Sequence, residues 1–169
     1  ISTHSSFVAN KLGLGKVMLL DNLRITRFSE LPEDTYNFFK KVAGYDTLRM
    51  ILCKKTILCE GDSDELVIQK AYMQLNDGRL PIEDGIEVIS VGVSFLRFLE
   101  IADCIQTKIA VVTDNDGDMA AINKKYANYI GAKRKEYIKI CVDDVVDAGT
   151  LKIGKSDYNY NTLEPKLLK

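Results

Sequence analysis

Four short apolar runs, TILC (Thr56–Cys59), IEVISV (Ile86–Val91), KIAVVT (Lys108–Thr113) and EYIKICV (Glu136–Val142), are spaced so that a helix fits between each run and the next. That spacing constrains the fold more than any other feature of the chain. Nearly continuous apolar strands need cover on both faces, and strands separated by helices are joined by crossovers that leave them parallel. The intervening text has helical period. Asp64–Leu75 sets Ile68, Ala71, Tyr72 and Leu75 on one face, and Ser94–Ile105 does the same with Phe95, Phe98, Leu99 and Ala102. A third helix is expected over roughly Asp118–Ile130. The expectation is an α/β fold around a parallel four-stranded sheet flanked by helices. In such sheets ligands sit at the carboxyl ends of the strands.

The rest of the chain is less regular. Ile1–Ile25 reads as strand and loop, with the apolar run KVMLL before polar DNLRITR. Phe28–Met50 reads as helix: Ser29 can cap it, Pro32 and Glu33 suit a first turn, and Phe38, Phe39 and Val42 form a stripe that Gly44 ends. After Val142 a surface loop is expected, then a short helical or turn-like segment at NTLEPKLLK. A hydrophobic content of 46% excludes global disorder. The net charge of −1 announces no polyanion binder, although a cluster of carboxylates would mask basic patches in that sum. No apolar run is long enough to span a membrane and no signal peptide opens the chain, so a cytoplasmic protein without membrane contact is expected. The start at Ile1 rather than Met suggests a piece of a longer polypeptide. Cys53, Cys59, Cys104 and Cys141 lack C-x-x-C spacing and read as free thiols in apolar surroundings.

Two of the strands end in acids. Glu60 follows TILC directly, with Gly61, Asp62 and Asp64 behind it, and Asp114, Asp116 and Asp118 follow KIAVVT. Mg²⁺ and Mn²⁺ take hard oxygen ligands and keep several waters, so a few carboxylates are enough to seat them. Glu60 would stand at a strand tip and Asp64 one helical turn later would face the same cavity. In an extended D-x-D, Asp114 and Asp116 would point the same way. Such a site holds one or two ions about 3.5–4 Å apart, which suits in-line phosphodiester cleavage. Gly61 and Gly117 permit tight turns and close approach of a phosphate backbone. A plainer reading stands beside this one: Asp62, Ser63 or Asp64 simply cap a helix. A calcium loop of the EF-hand type is ruled out, because the twelfth position from Asp114 is Lys125 rather than Glu.

The pattern E-G-x-x-D after one apolar strand and D-x-D-x-D after another resembles the Toprim motif of topoisomerases, bacterial primases and a group of nucleases. The likeness covers Lys55 to about Val142 and implies a small Rossmann-like domain whose acids bind Mg²⁺. At the start of the chain, ISTHS resembles the last conserved strand of an ABC-type ATPase. An ATPase end running into a Toprim domain is the arrangement of the OLD-family (overcoming lysogenisation defect) nucleases, to which the nuclease subunit of the Gabija anti-phage system is related. NTLEPKLL resembles that family's T-L-E segment. By this resemblance Glu60, Asp64, Asp114, Asp116 and Glu164 are metal ligands, with Glu60, Asp114 and Asp116 catalytic, and His4 is the ATPase switch histidine. The implied organisation is an ATPase remnant over 1–25, a helical linker over 26–52 and a Toprim nuclease domain over 53–169, cut short at its C-terminus. A family lysine downstream of T-L-E has no assigned counterpart before Lys169. No G-x-x-x-x-G-K-[ST] occurs, so ATP would matter only in a full-length protein.

The resemblance implies a DNA endonuclease within a larger ATPase–nuclease, in phage defence or DNA repair, with DNA as partner, a homo-oligomeric full-length form and a helicase-like defence partner. Phosphate contacts require cations. The candidates are Lys133, Arg134 and Lys135 in AKRKEYIK, and Lys152 and Lys155 in LKIGKSDYNYN, where Tyr158 and Tyr160 add stacking surfaces. The plain alternative for both runs is a solvated surface. Two rival functions are a non-catalytic Toprim module that binds nucleic acid or a partner protein, and a phosphohydrolase with an Asp nucleophile. The latter ranks last, because its D-x-D should follow the first strand of the fold.

Overall fold

A computed structural model of the protein describes Ser2 and residues 17–21, 24–41 and 45–169. The four expected strands form at Lys55–Cys59 (β3), Ile86–Ser90 (β4), Lys108–Val112 (β5) and Ile138–Cys141 (β6). They pair in parallel in the order β4-β3-β5-β6. Helix α3 (Asp62–Leu75) joins β3 to β4, α4 (Phe95–Ile105) joins β4 to β5, and α5 (Met119–Lys125) joins β5 to β6. Right-handed crossovers set α3 on one face of the sheet and α4 and α5 on the other. The ring of Tyr126, just past α5, meets that of Phe95 on α4 edge-on at 6.5 Å, so these two helices share a face.

The core lies on the α4 side. Thr56, Leu58, Ile109, Val111 and Ile138 project there and are buried against Phe95, Phe98, Leu99 and Ala102, the four residues expected from the helical period. Helix α3 differs. It has no buried residue, and Leu75 is 85% exposed although it belongs to the expected apolar face. The helix begins two residues earlier than expected, at Asp62.

Ahead of the sheet, Met18–Asp21 (β1) and Arg24–Arg27 (β2) pair antiparallel, so part of DNLRITR is strand rather than loop. The single helix expected over Phe28–Met50 is divided. A 3-10 turn at Phe28–Glu30 contains Ser29, which caps nothing, and is followed by α1 (Glu33–Lys41) and α2 (Tyr45–Leu52). Leu31 is extended (φ −67°, ψ 154°) because the ring of Pro32 disfavours helical backbone in the residue before it. Val42 and Gly44 lie outside the described residues, whereas Phe28, Leu31, Phe39, Met50 and Ile51 join one core with α4. Thr35 of α1 hydrogen-bonds Glu100 of α4 and accepts from Arg97 at 2.9 Å.

Two further differences follow β5. Helix α5 stops at Lys125 instead of Ile130, and the chain turns so that Tyr126 and Tyr129 both enter the core. Past Val142, the expected loop contains a hairpin, Thr150–Ile153 (β7) with Ser156–Asn159 (β8). Its two-residue link has Gly154 at φ +62° and Lys155 at negative φ, the II′ arrangement that Gly at the first central position favours. A last helix, α6, spans Leu163–Leu167. Among the described residues no helix is long and apolar enough to cross a membrane. All four cysteines are free, and burial, with the charges of Asp64, Glu65 and Asp62, pushes the Cys59 thiol up to about 12, so it stays protonated.

The one-sided core makes a direct test. Leu99→Ala should cost about 2–5 kcal/mol in urea unfolding, whereas Leu75→Ser should stay within about 0.5 kcal/mol of the parent.

Candidate metal and phosphate site

The strand order reverses between β3 and β5: from β3 the chain moves outward to β4, and from β5 it moves outward to β6. The loops leaving the tips of β3 and β5 therefore diverge and leave a crevice between them, the place where open α/β sheets bind ligands. Both acidic motifs leave from these tips. Continuing the β3–β5 register two residues past Leu58 and Val111 sets Glu60 beside Thr113. The Thr113 hydroxyl donates to Glu60 Oε1 at 3.2 Å. Backbone pairing holds both positions, since the Glu60 carbonyl accepts from Gly92 N–H at 3.0 Å and Thr113 N–H donates to the Cys141 carbonyl at 3.2 Å.

After Glu60, Gly61 is the N-cap of α3 and donates its N–H to Asp64 Oδ2 at 2.9 Å. The capping role weighed for Asp64 is thus real, and it turns the carboxylate back toward the strand tip. Asp62 accepts from Ser90 at 2.9 Å. On the other tip, Asp116 (φ 49°) and Gly117 (φ 80°) are both left-handed, and Asp118 N–H closes the turn on the Asn115 carbonyl at 2.8 Å. The D-x-D is therefore a turn rather than an extension of β5, so strand alternation does not set the direction of Asp116. Asp118 caps α5 by accepting from Ala121 N–H at 2.9 Å.

The T-L-E segment joins the two loops from far along the chain. Leu163 N–H donates to Asp114 Oδ2 at 3.1 Å, and Ser63 Oγ donates to Glu164 Oε1 at 3.0 Å. Burial pushes the Asp114 carboxyl up to about 6. The Leu163 N–H opposes that rise, and the charges of Asp64, Glu60 and Asp116 add to it. The carboxylates thus act on one another as a group. Among the described residues, however, no three His, Cys, Asp or Glu side chains stand in ion-holding geometry. Glu60, Asp64, Asp114 and Glu164 each rest on a separate hydrogen-bond donor. The donor set fits a hard divalent ion in chemistry and in accumulated charge, and a bound ion would draw these oxygens away from their present partners.

The basic residues fall differently. Lys133 and Arg134 are exposed just before β6, which places them at the amino edge of the parallel sheet, opposite the acids. Lys135, beside them, is bound to Asp103 of α4 at 2.8 Å. Lys152 and Lys155 are exposed on the β7–β8 hairpin together with Tyr158, whereas Tyr160 is half-buried under the Lys169 ammonium at 5.0 Å. Lys166 pairs with Asp143. His4 lies outside the described residues.

Three residues that gave no functional signal in the sequence build this site. Thr113 positions Glu60. Asn115, 1% exposed, donates to the Asp143 and Val145 carbonyls at 2.9 Å each and accepts from Gly117 N–H. Asn161, 4% exposed, accepts from Asp147 N–H at 2.7 Å and donates to its carbonyl at 2.9 Å. A Cβ on Gly117 would stand 3.3 Å from the Asn161 amide in a backbone already at positive φ, so glycine lets the D-x-D turn seat against Asn161. An Asn between two Asp ahead of Gly is a local turn signal, whereas the partners of Asn161 lie too far away for sequence reading to find.

Residues 51–116 match the family described as "Overcoming lysogenization defect protein-like, TOPRIM domain". The match covers less than half of the chain. It takes in Glu60, Asp64, Asp114 and Asp116 and ends before Glu164. No curated protein and no solved structure gives a significant match. With the parallel sheet and its helices, the match supports a Toprim domain of the OLD type, in a Rossmann-like fold. Toprim domains generally use divalent metals such as Mg²⁺ and serve nuclease- or primase-like chemistry on nucleic acid.

Asp114 offers a pH test. Its carboxyl binds a proton more tightly folded than unfolded, so its contribution favours folding at low pH and is lost as pH rises from about 4 through about 6. Asp114→Asn should remove that decline, and the difference in Tm between variant and parent should grow in the variant's favour across this window in EDTA.

Proposed function

We propose that the chain carries a divalent-metal endonuclease site that hydrolyses phosphodiester bonds of DNA, with Glu60, Asp64, Asp114, Asp116 and Glu164 as its ligands. The observation that supports this most is the junction of three distant segments at one strand edge, through Thr113–Glu60, Leu163–Asp114 and Ser63–Glu164. One or two Mg²⁺ or Mn²⁺ ions would supply water activation and stabilisation of the leaving oxygen. The chain's own part is positional. Thr113 holds Glu60 at the tip of β3, and Gly61 holds Asp64 one turn further on. The Leu163 amide fixes one oxygen of Asp114, leaving Oδ1 for the ion. Below about pH 6, where burial keeps the Asp114 carboxyl protonated, ion binding would release that proton.

The wider setting rests on the OLD-type match and on the likeness of ISTHS to an ATPase strand. It comprises an ATPase remnant over 1–25 ahead of the linker and nuclease domain, His4 facing ATP in a full-length cytoplasmic homo-oligomer, relatedness to the Gabija nuclease subunit, a helicase-like partner, and work in phage defence or DNA repair.

Thermal unfolding with and without Mn²⁺ tests the site. At an ion concentration about 100 times Kd the parent should gain about 2.7 kcal/mol. Asp114→Ala combined with Asp116→Ala should lose that gain and abolish nicking of supercoiled plasmid. An unchanged Tm in the parent would leave a non-catalytic Toprim module as the reading, and nicking by the double variant would refute the assignment.

A further inference from the structure

We infer that the half of the sheet that α3 and the other described residues leave uncovered is a second, cationic surface that holds a run of nucleic-acid phosphates on Lys55, Lys108 and Lys139. The inference deepens the endonuclease reading and rests on it for the direction of the bound strand.

Register decides which side chains share this face. Lys55 pairs with Lys108, Ile57 with Ala110, and Ala110 with Lys139. Thr56, Ile109 and Ile138, one residue out of phase, are buried on the α4 side, so the three lysines project from the opposite face. There α3 packs over β4 and β3 and buries Val88 and Cys59. Helices α4 and α5 lie behind the sheet, so Ala110, Val112 and Cys141 on β5 and β6 are only half-buried. Among the described residues this strip forms a shallow groove of about 250 Å³ with Ile57 and Ala110 as its floor.

Three ammonium groups share this strip. Lys135, Lys166 and Lys169 are each paired with an aspartate. Among the described residues, Lys55, Lys108 and Lys139 are exposed and make no ion pair, although Glu136 also lines the groove. Lys55 and Lys108 stand side by side on adjacent strands, where like charges repel. A row of anionic groups laid across them would relieve that repulsion.

The row also has a direction. Lys55 and Lys108 sit at the amino edge of the sheet, and Lys139 is one strand over and two residues further toward the acids. From its level at Ala110 to Asp114 is four residues, the last two just past the end of β5, about 13 Å at the rise of a strand. A phosphate backbone following the lysines would thus arrive at the carboxylate edge. An acidic peptide would satisfy the charges but would have no reason to continue there. Lys133 and Arg134, outside this groove, have no part in it.

The test is equilibrium binding of a fluorescent DNA duplex of about 20 base pairs, in EDTA, at several salt concentrations. With Lys55→Ala, Lys108→Ala and Lys139→Ala combined, affinity should fall at least tenfold near ~0.1 M salt, and the slope of log K against log salt should become shallower by about 2.7. Lys133→Ala with Arg134→Ala should leave both quantities as in the parent. Equal affinity and slope in the triple variant would overturn the inference, as would an absence of binding by the parent. Displacement of the duplex by poly-glutamate at equal charge would also overturn it, and would mark the groove as a protein-docking surface. Metal is absent throughout, so failure of the metal site would appear in the Mn²⁺ unfolding experiment and leave these isotherms unchanged.

Discussion

The crossover through α4 carries the chain over β3 before it re-enters the sheet as β5. Because of that single step, residues more than fifty positions apart in sequence become neighbours at one edge. The rest of the architecture serves it. The apolar side of α4 supplies the mass of the core, α1 and α2 close that core from outside, and β3 and β5 are held in fixed register to their ends. Positions on adjacent rigid strands vary little, so a carboxylate on one and a hydroxyl on the next can be placed to within hydrogen-bonding distance.

Burying acids together at such an edge carries a cost, visible in the raised pKa of Asp114, which comes first from burial and then from the charges of Asp64, Glu60 and Asp116. The chain meets it with neutral donors rather than with cations. The Gly61 and Leu163 amides and the Thr113 and Ser63 hydroxyls each take one carboxylate oxygen. Dipoles of this kind orient a carboxylate without cancelling its charge, which leaves the edge attractive to a hard ion. Lysines near this edge are instead directed outward onto Asp143 and Asp147.

The parts legible in the sequence were those whose physics is local or set by topology. Four apolar runs became four strands within a residue or two, since runs separated by helical text are joined by crossovers into one parallel sheet. Glu60 and Asp114 were placed because strand ends follow directly from strands. The II′ hairpin was missed despite its Gly-Lys turn, because β7 and β8 are almost wholly exposed and show no alternation to read. The break ahead of Pro32 had a local cause that the helical stripe of Phe38 and Phe39 obscured. The position of Lys133 and Arg134 was implied by their place before β6, but Lys135 binds a partner 32 residues away. Asn161 likewise joins positions that no periodicity relates.

Asn161 has a consequence for how this chain can vary. Its amide grips both backbone groups of Asp147, and Tyr160 N–H reaches the Gly149 carbonyl at 3.4 Å, so the stretch from 147 to 161 is closed at its neck. Whatever lies beyond that closure enters and leaves at one point. Its length adds little entropy cost, and its tip carries none of the strand-edge geometry. Descendants of this sequence could therefore exchange the hairpin for longer or differently charged outgrowths while the carboxylates keep their places. Within this design, the neck lets the outline of the surface diversify while the acidic rim stays fixed.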